Sequence, residues 1–303
     1  MLSIVSPGTS AAVACRALAA RGANLVAAAR SGRLLFVVDR PTLEHACQLG
    51  LGRWPLAELR VESPLRVVPG AAAAEAARLL AGSATLLIDG GSGRPVGRVR
   101  RTSLSRLVAA SPAGELRLRR TLPAATLALL RELGGHAAAC RVRAWLVGGS
   151  VRDVLLGRSV LDLDVLVERD ACAVAAALVA SRGGRLVQHP AFSTARVELP
   201  GGTVVDLAAA RRESYAKAAE LPRVEPGSWL EDAYRRDFTV NAILLRIDPA
   251  GFGTIDDPCA GRQDLRRRRL CVLHGLSFVD DPTRGFRAVR LAARLRFALG
   301  PHT

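Results

Sequence analysis

Three aspartates, two glycines and a serine define the chemistry this chain is equipped for. Asp162 and Asp164 lie two apart in "VLDLDVLVE", whose Val160, Leu161, Leu163, Val165 and Leu166 are strand formers. Positions i and i+2 of a strand share a face, so the two carboxylates are expected side by side among apolar neighbours. Unpaired, that arrangement is costly. A divalent cation resolves it, and hard oxygen ligands suit Mg²⁺. Just ahead, "AWLVGGSVRDVLLG" gives an apolar strand at Ala144–Val147, a tight turn at Gly148-Gly149 and a helix opened by Ser150 that runs through Leu156. Backbone N–H groups at such a helix start can hold phosphate oxygens. "STARVELPGGTVVDLAAAR" alternates like a β-hairpin, Thr194–Leu199 then Thr203–Leu207, and Asp206 in its second strand joins the pair if that strand lies alongside. Three acidic groups around two metal ions, beside a phosphate cradle, are the equipment of in-line phosphoryl transfer. For an isolated Asp-x-Asp motif, two solvent-facing aspartates on an edge strand are the plainer alternative; the cradle tips the reading.

The elements that carry these residues sit in a chain of 303 residues and 32.0 kDa, long enough for two or three domains. Half of it is apolar and only 4% aromatic, so its cores are built from Ala, Leu and Val. Lys217 is the single lysine among the 43 basic residues, and the net charge of +16 favours polyanions, nucleic acid first. No apolar run approaches the ~20 residues of a membrane span, and no secretory leader is evident. Cys15, Cys47, Cys140, Cys172, Cys259 and Cys271 form no CxxC pair, which argues against a disulfide scaffold or structural zinc and for reduced, buried thiols in a cytoplasmic protein.

The first third repeats itself. "VSPGTSAAVACRALAARGANLVAAARSGRLLFVV" around Pro7 is answered by "VVPGAAAAEAARLLAGSATLLIDGGSGRPVGRV" around Pro69. Each copy predicts a Pro-Gly start, an Ala-rich helix, a short strand, a Ser-Gly turn and a second strand, as a β-α-β-β unit. The pair, over residues 1–110, resembles a tandem cystathionine-β-synthase (CBS) domain pair. That resemblance implies an adenine nucleotide between the copies or a homodimer made through them; a purely structural module is an equal alternative. Residues 111–121 read as a linker or basic strap. The next helix starts by Pro123 and nears its end at Gly134-Gly135.

From Leu122 to Leu299 the chain resembles the class II tRNA nucleotidyltransferase / poly(A) polymerase family, a branch of the polymerase-β-like superfamily. The resemblance rests on ordered motifs: "LVGGSVRDVLLG" with "LDLDVLV", "DLAAARRESY", "EDAYRRDFTVNAI", "IDDPCAGRQDL" and "FVDDPTRGFRAVRLAARLRF". The fold class it implies is α/β (α+β). A nucleotidyltransferase head at 122–273, with a mixed sheet flanked by helices, leads into a helical neck at 274–303. It implies that Asp162 and Asp164 bind two Mg²⁺ ions (or Mn²⁺), with Asp206 as the third acidic group. Gly148, Gly149 and Ser150 would hold the nucleotide phosphates, braced by Arg152 and Asp153. Arg236, Asp237 and Asn241 match positions that contact the nucleotide sugar and phosphates. Asp281 and Arg284 match the pair that reads the incoming base, and Arg287 matches a nearby arginine.

The base-reading role also follows from chemistry. A carboxylate only accepts hydrogen bonds and a guanidinium only donates them. Cytosine and adenine both present an amino donor beside a ring-nitrogen acceptor, whereas uracil and guanine invert that pattern. A fixed Asp/Arg pair therefore accepts CTP and ATP and leaves unpaired groups against UTP and GTP. An i, i+3 salt bridge at a helix start is the plainer reading of Asp281 and Arg284. The Arg266–Arg269 run is a basic face or an RNA contact, and His189 and His274 are structural. The implied activity is template-independent addition of C, A or both to a tRNA 3′ end. A poly(A) polymerase on the same scaffold and a non-catalytic adenine-nucleotide sensor are the alternatives. Three departures from the family stand out. Gly285 replaces a bulky apolar residue, no phosphoesterase-like domain precedes the repeat, and the family's body and tail helices do not follow Leu299.

Overall fold

The computed structural model describes residues 2–20, 23, 25–30, 33–59, 65–67, 85–89, 95–100, 113–160, 162–259, 261–300 and 303. The chain forms two compact units. One comprises Met1–Val108, Ser214–Arg223 and Arg266–Thr303; the other comprises Ala109–Glu213 and Val224–Leu265. The first division falls between Val108 and Ala109. Arg266–Thr303 groups with the N-terminal residues in the first of these units.

In the first unit, the repeat shows in the strand pairing. Strand β1 (Leu2–Val5) leads through α1 (Ala11–Ala20) to β2 (Leu25–Arg30) and β3 (Arg33–Asp39). β1 pairs parallel to β2, and β2 pairs antiparallel to β3. Helices α2 (Arg40–Gln48) and α3 (Leu56–Leu59) follow. In the second copy, β4 (Leu65–Val67) pairs parallel to β5 (Thr85–Asp89), and β5 antiparallel to β6 (Pro95–Arg100). The register shifts at matching places, between Ala28 and Ala29 and between Ile88 and Asp89. The Ala-rich helix expected after Pro69 lies outside the described residues. Ala11, Ala14 and Leu18 place one buried stripe along α1, as helical spacing requires, against Leu43 and Ala46 of α2 and Leu56 and Leu59 of α3.

The second unit begins with α4 (Ala113–Thr121), a helix where the sequence reads as a strap. Glu115 explains the difference: it pairs with Arg119 one turn on at 2.8 Å and with Arg131 at 2.9 Å, while Leu118 is buried. Helix α5 (Ala124–Ala139) passes through Gly134-Gly135 and ends four residues beyond them. Then come β7 (Ala144–Leu146), α6 (Gly148–Leu156), β8 (Leu163–Val167), α7 (Ala171–Arg182), β9 (Arg185–His189), β10 (Thr194–Glu198) and β11 (Val204–Ala209). A ribbon of β12 (Arg211–Ser214) and β13 (Arg223–Pro226) precedes α8 (Trp229–Tyr234), β14 (Leu244–Arg246), β15 (Ile255–Asp256) and α9 (Gly261–Arg267). The seven-stranded sheet runs β15-β14-β7-β8-β11-β10-β9. It is mixed, as expected: β8 and β11 are parallel and the other pairs described are antiparallel. The predicted hairpin is β10 and β11. Trp145 on β7 is fully buried, stacks on Trp229 with ring centroids 5.9 Å apart and donates to Asp256 at 2.8 Å, tying the edge strand β15 to the centre.

The chain closes in the first unit with β16 (Arg269–Leu270), α10 (Ser277–Asp280), α11 (Thr283–Leu295) and β17 (Ala298–Leu299), which pairs parallel to β16. The six cysteines form no disulfide, and the expectation of buried thiols is not met: Cys140 is exposed and the other five are half-buried. Among the described residues no helix is long and apolar enough to cross a membrane.

Candidate active site

The site is assembled where β7 turns into α6. Val147 is extended, and Gly148 then takes φ +67°, a left-handed conformation that L side chains rarely adopt. A Cβ there would make ordinary van der Waals contact with Asp164 Oδ2 at 3.4 Å and Arg236 Nη1 at 3.5 Å, so it is the backbone conformation that calls for glycine. The helix begins at Gly148, two residues before the expected Ser150.

The Ser150 side chain has a task of its own, apart from the backbone N–H expected to face phosphate. Its hydroxyl donates to the Asp162 carbonyl at 2.8 Å and accepts from the Asp164 N–H at 3.2 Å, and the residue is buried. It therefore fastens the start of α6 to the entry of β8, setting the cradle against the acidic segment. Asp164 lies on β8 as predicted. Asp162 lies just before the strand and is exposed, so its placement depends on the Ser150 bond and not on strand pleating.

Asp206 joins the pair. In the parallel ladder of β11 and β8 it is the register partner of Asp164, so the two carboxylates project from the same side of the sheet. Burial is the main reason that the Asp164 carboxyl sits above the usual range; Asp206 and Asp162 push it further up, while Arg236 and the Ser150 bond pull it down. Asp206 also stands 3.7 Å from Arg196, its partner across the hairpin. Among the described residues, no group of three or more His, Cys, Asp or Glu side chains is already gathered as a cation site. The donor set nevertheless fits hard divalent ions. These are oxygen ligands only, and a second positive charge would relieve the mutual opposition of Asp162, Asp164 and Asp206.

Beside this floor runs a buried polar chain. Arg152 forks onto Asp153 through Nε (2.9 Å) and Nη2 (2.8 Å), and its Nη1 donates to Asn241 Oδ1 at 2.8 Å. Asn241 donates onward to Asp237 at 2.9 Å, and Asp237 also accepts from the Phe238 N–H. Arg152, Asp153, Asp237 and Asn241 thus form one continuous brace, with Arg152 and Asn241 buried. Arg236 is held from behind by Asp232, through Nη2 at 2.6 Å and Nε at 3.1 Å. Asp232 is fully buried and also holds Arg235 at 2.6 Å. Sequence reasoning missed Asp232. The signal was there: Ser228-x-x-Glu231 is a capping box that starts α8, and it places Asp232 at i, i+3 and i, i+4 from two arginines.

Asp281, Arg284 and Arg287 belong to the other unit. Asp281 accepts from the Thr283 backbone at 2.9 Å at the start of α11 and stands 3.7 Å from Arg284, the i, i+3 contact. Arg284 is nearly buried and donates to Ser277 at 2.9 Å and to the Tyr215 hydroxyl at 3.4 Å. Arg287 is exposed on α11, and Gly285 has open space around it.

Comparison with known proteins places this geometry. Residues 144–271 match the Poly A polymerase head domain. The matched segment carries the cradle, the three acids, the brace and Asp232. An A-adding tRNA nucleotidyltransferase of Geobacter sulfurreducens is 36% identical over 292 residues, covering 89% of this chain and 33% of that protein. A CC-adding tRNA nucleotidyltransferase of Deinococcus radiodurans is 44% identical over 156 residues, 52% of this chain and 42% of that protein. The structure of the Thermotoga maritima CCA-adding enzyme complexed with tRNA superposes with a TM-score of 0.55 at 36% identity, covering 62% of this chain and 42% of that one. The chain therefore spans about a third to two fifths of the length of these relatives.

Proposed function

We propose that the protein is a template-independent nucleotidyltransferase that adds C, A or both, from CTP or ATP, to the 3′ end of tRNA and releases pyrophosphate. The observation that carries the reading is the register pairing of Asp164 with Asp206 above a left-handed Gly148, in a head that resembles enzymes named for this reaction. The Gly148–Ser150 turn receives the triphosphate on backbone N–H groups, and Arg152 and Arg236, each anchored by a carboxylate, stiffen the walls around it. Asp162 and Asp164, with Asp206, hold two divalent ions, Mg²⁺ or Mn²⁺. Bound there, they supply positive charge to the attacking and leaving oxygens. The 3′ oxygen forms its bond to the α-phosphorus as the bond to pyrophosphate breaks, and the hydroxyl proton passes to solvent. Asp281 and Arg284 read the base edge, accepting from the amino group and donating to the ring nitrogen of C or A. The net charge of +16 draws in RNA, with an affinity that falls steeply with salt. The N-terminal repeat is CBS-like, takes an adenine nucleotide or a second copy of the chain, and the protein works in the cytoplasm.

The test supplies Mg²⁺, tRNAs ending before CCA or at CC, and each of the four nucleoside triphosphates separately, with Asp164→Asn as the control. Incorporation restricted to C, A or both, and lost in the variant, supports the reading. No incorporation even at low salt and high RNA concentration refutes it for this chain. The Geobacter relative that aligns with most of this chain is named A-adding, so the CC-ended tRNA with ATP is the first pair to try.

A further inference from the structure

Next to the base-reading pair stands a buried acid with no part in the chemistry above. Asp280 ends α10, immediately before Asp281, and is 2% exposed. Its Oδ1 lies 2.7 Å from Nε2 of His45, on α2 of the first repeat copy, and its Oδ2 lies 3.8 Å from Nε2 of His274. The surrounding segment is seated on the same copy. Leu276 is fully buried in the core that α1, α2 and α3 share, and Val279 packs against that core. Gly275 runs so close to α3 that a Cβ would meet the Leu59 carbonyl oxygen at 2.8 Å. From the other side, the Ala219 N–H donates to the Val279 carbonyl at 3.1 Å, four residues after Tyr215, whose hydroxyl meets Arg284.

We propose that His45 is a positioning residue for nucleotide choice: through Asp280 it holds the α10–α11 corner so that Asp281 and Arg284 present a fixed pattern to the base. The proposal rests on the base-reading role given above for that pair. The physical argument is that a donor–acceptor pattern discriminates only while it cannot move. A pair free to turn can satisfy uracil or guanine as readily as cytosine or adenine. Asp281 sits at the junction of two helices, α10 being only four residues long, so local helix stability fixes little. The clamp from α2 supplies what the helix lacks. The partly buried His45 imidazole takes up a proton more readily than a free one, because of its bond to Asp280, which favours the charged, tighter form of the contact. On this reading the repeat is a built-in template for the specificity corner, in addition to any ligand it binds.

The experiment compares the intact protein with His45→Ala and His45→Gln, whose amide can still donate to Asp280. Leu18→Ala, a cavity in the same core away from the clamp, is the control for simple loosening. Two readouts are taken: hydrogen exchange of residues 275–285, and the ratio of kcat/KM for the accepted nucleotide to that for UTP on a tRNA acceptor. Expected for His45→Ala are faster exchange in that segment and a selectivity ratio reduced about 10- to 100-fold, the scale of a displaced catalytic geometry. His45→Gln should recover most of both, and Leu18→Ala should lower the melting temperature with the ratio kept. Unchanged exchange in His45→Ala overturns the clamp, whatever the activity. Faster exchange with an unchanged ratio overturns the role in selection, as does an equal loss in Leu18→Ala. An intact protein that incorporates nothing refutes the proposed function and this inference with it, and the exchange data still report the clamp separately. If His45→Ala does not fold, His274→Ala takes its place, with the same expected direction.

Discussion

Two adjacent glycines in α5 should respond to alanine with opposite signs. At Gly134 a Cβ would fall 1.8 Å from the Ile247 carbonyl oxygen, 2.6 Å from its carbon and 3.1 Å from Asp248 Cα. Real Cβ contacts essentially never come below 3.0 Å, so one backbone must retreat by more than an ångström. That strain is overpacking of about 3 kcal/mol, offset by the ~1 kcal/mol that alanine gains over glycine within a helix, leaving Gly134→Ala about 2 kcal/mol less stable. Gly135 has nothing within 4 Å of its Cβ position, so Gly135→Ala keeps the whole propensity gain, about 1 kcal/mol. For a unit of this size the melting temperature should fall by roughly 4–8 °C in the first and rise by roughly 2–4 °C in the second. Denaturation followed by tryptophan fluorescence measures both, since Trp145 and Trp229 report on this unit. Because the Ile247 N–H donates to the Ala144 carbonyl, the strain in Gly134→Ala bears on the strand that leads into the cradle, and incorporation should fall as well. Equal effects at the two positions, or a stabilised Gly134→Ala, would refute the close approach of α5 to the sheet.

Three further outcomes follow from the site. Asp164→Asn should abolish incorporation yet, in chelator, melt no lower than the parent protein, since it removes one of two like charges in register, worth roughly 0.2–1 kcal/mol; a lower melting point would contradict the pairing with Asp206. Asp232→Ala strips a fully buried carboxylate from two arginines and should cost about 3 kcal/mol, seen in the denaturant midpoint. Its incorporation should fall further than the lost stability explains, because Arg236 loses its anchor. Ser228→Ala removes the cap of α8, for about 1 kcal/mol near neutral pH. The Ser228 backbone and hydroxyl bonds hold the Glu231 carboxyl below its usual range, so this stabilisation is present above its unfolded value of 4.5 and is lost as pH falls through the lowered folded value. The gap between parent and variant should therefore narrow on acidification as the hydroxyl bond to the Glu231 carboxylate is lost, while the part due to the Glu231 N–H bond to the Ser228 hydroxyl remains; no gap near neutral pH would refute the cap.

What could be read from the sequence had local causes. The β10–β11 hairpin is written in alternation around Pro200-Gly201-Gly202, and the cradle in an apolar strand running into Gly148-Gly149. In the repeat, the described strands of both copies pair in the same order, parallel then antiparallel. The misread parts depend on partners elsewhere in the chain. The Ser150 hydroxyl gives no sign in the sequence that it will join Asp162 to Asp164. Residues 113–121 look like a strap until Arg131 meets Glu115. Gly134-Gly135 looks like a helix stop until Ile247 shows what one glycine makes room for. His45 and Asp280 are 235 positions apart, a distance at which neither propensity nor periodicity carries a signal.

The parallel pairing of β8 with β11 sets an order in time. Asp164 meets Asp206 only after α7, β9 and β10 have been laid down between them, and a parallel crossover of that kind closes slowly, since its loop entropy is spent before the ladder forms. During synthesis the turn at Gly148 and the acids of β8 emerge first, with no neighbouring charge to resist. The opposition with Asp206 arises only once Val204–Ala209 clears the ribosome, when β7 to β10 have been made but β14 and β15 have still to be added beside β7. A chain stalled before that strand would carry the cradle, Asp162 and Asp164 without Asp206.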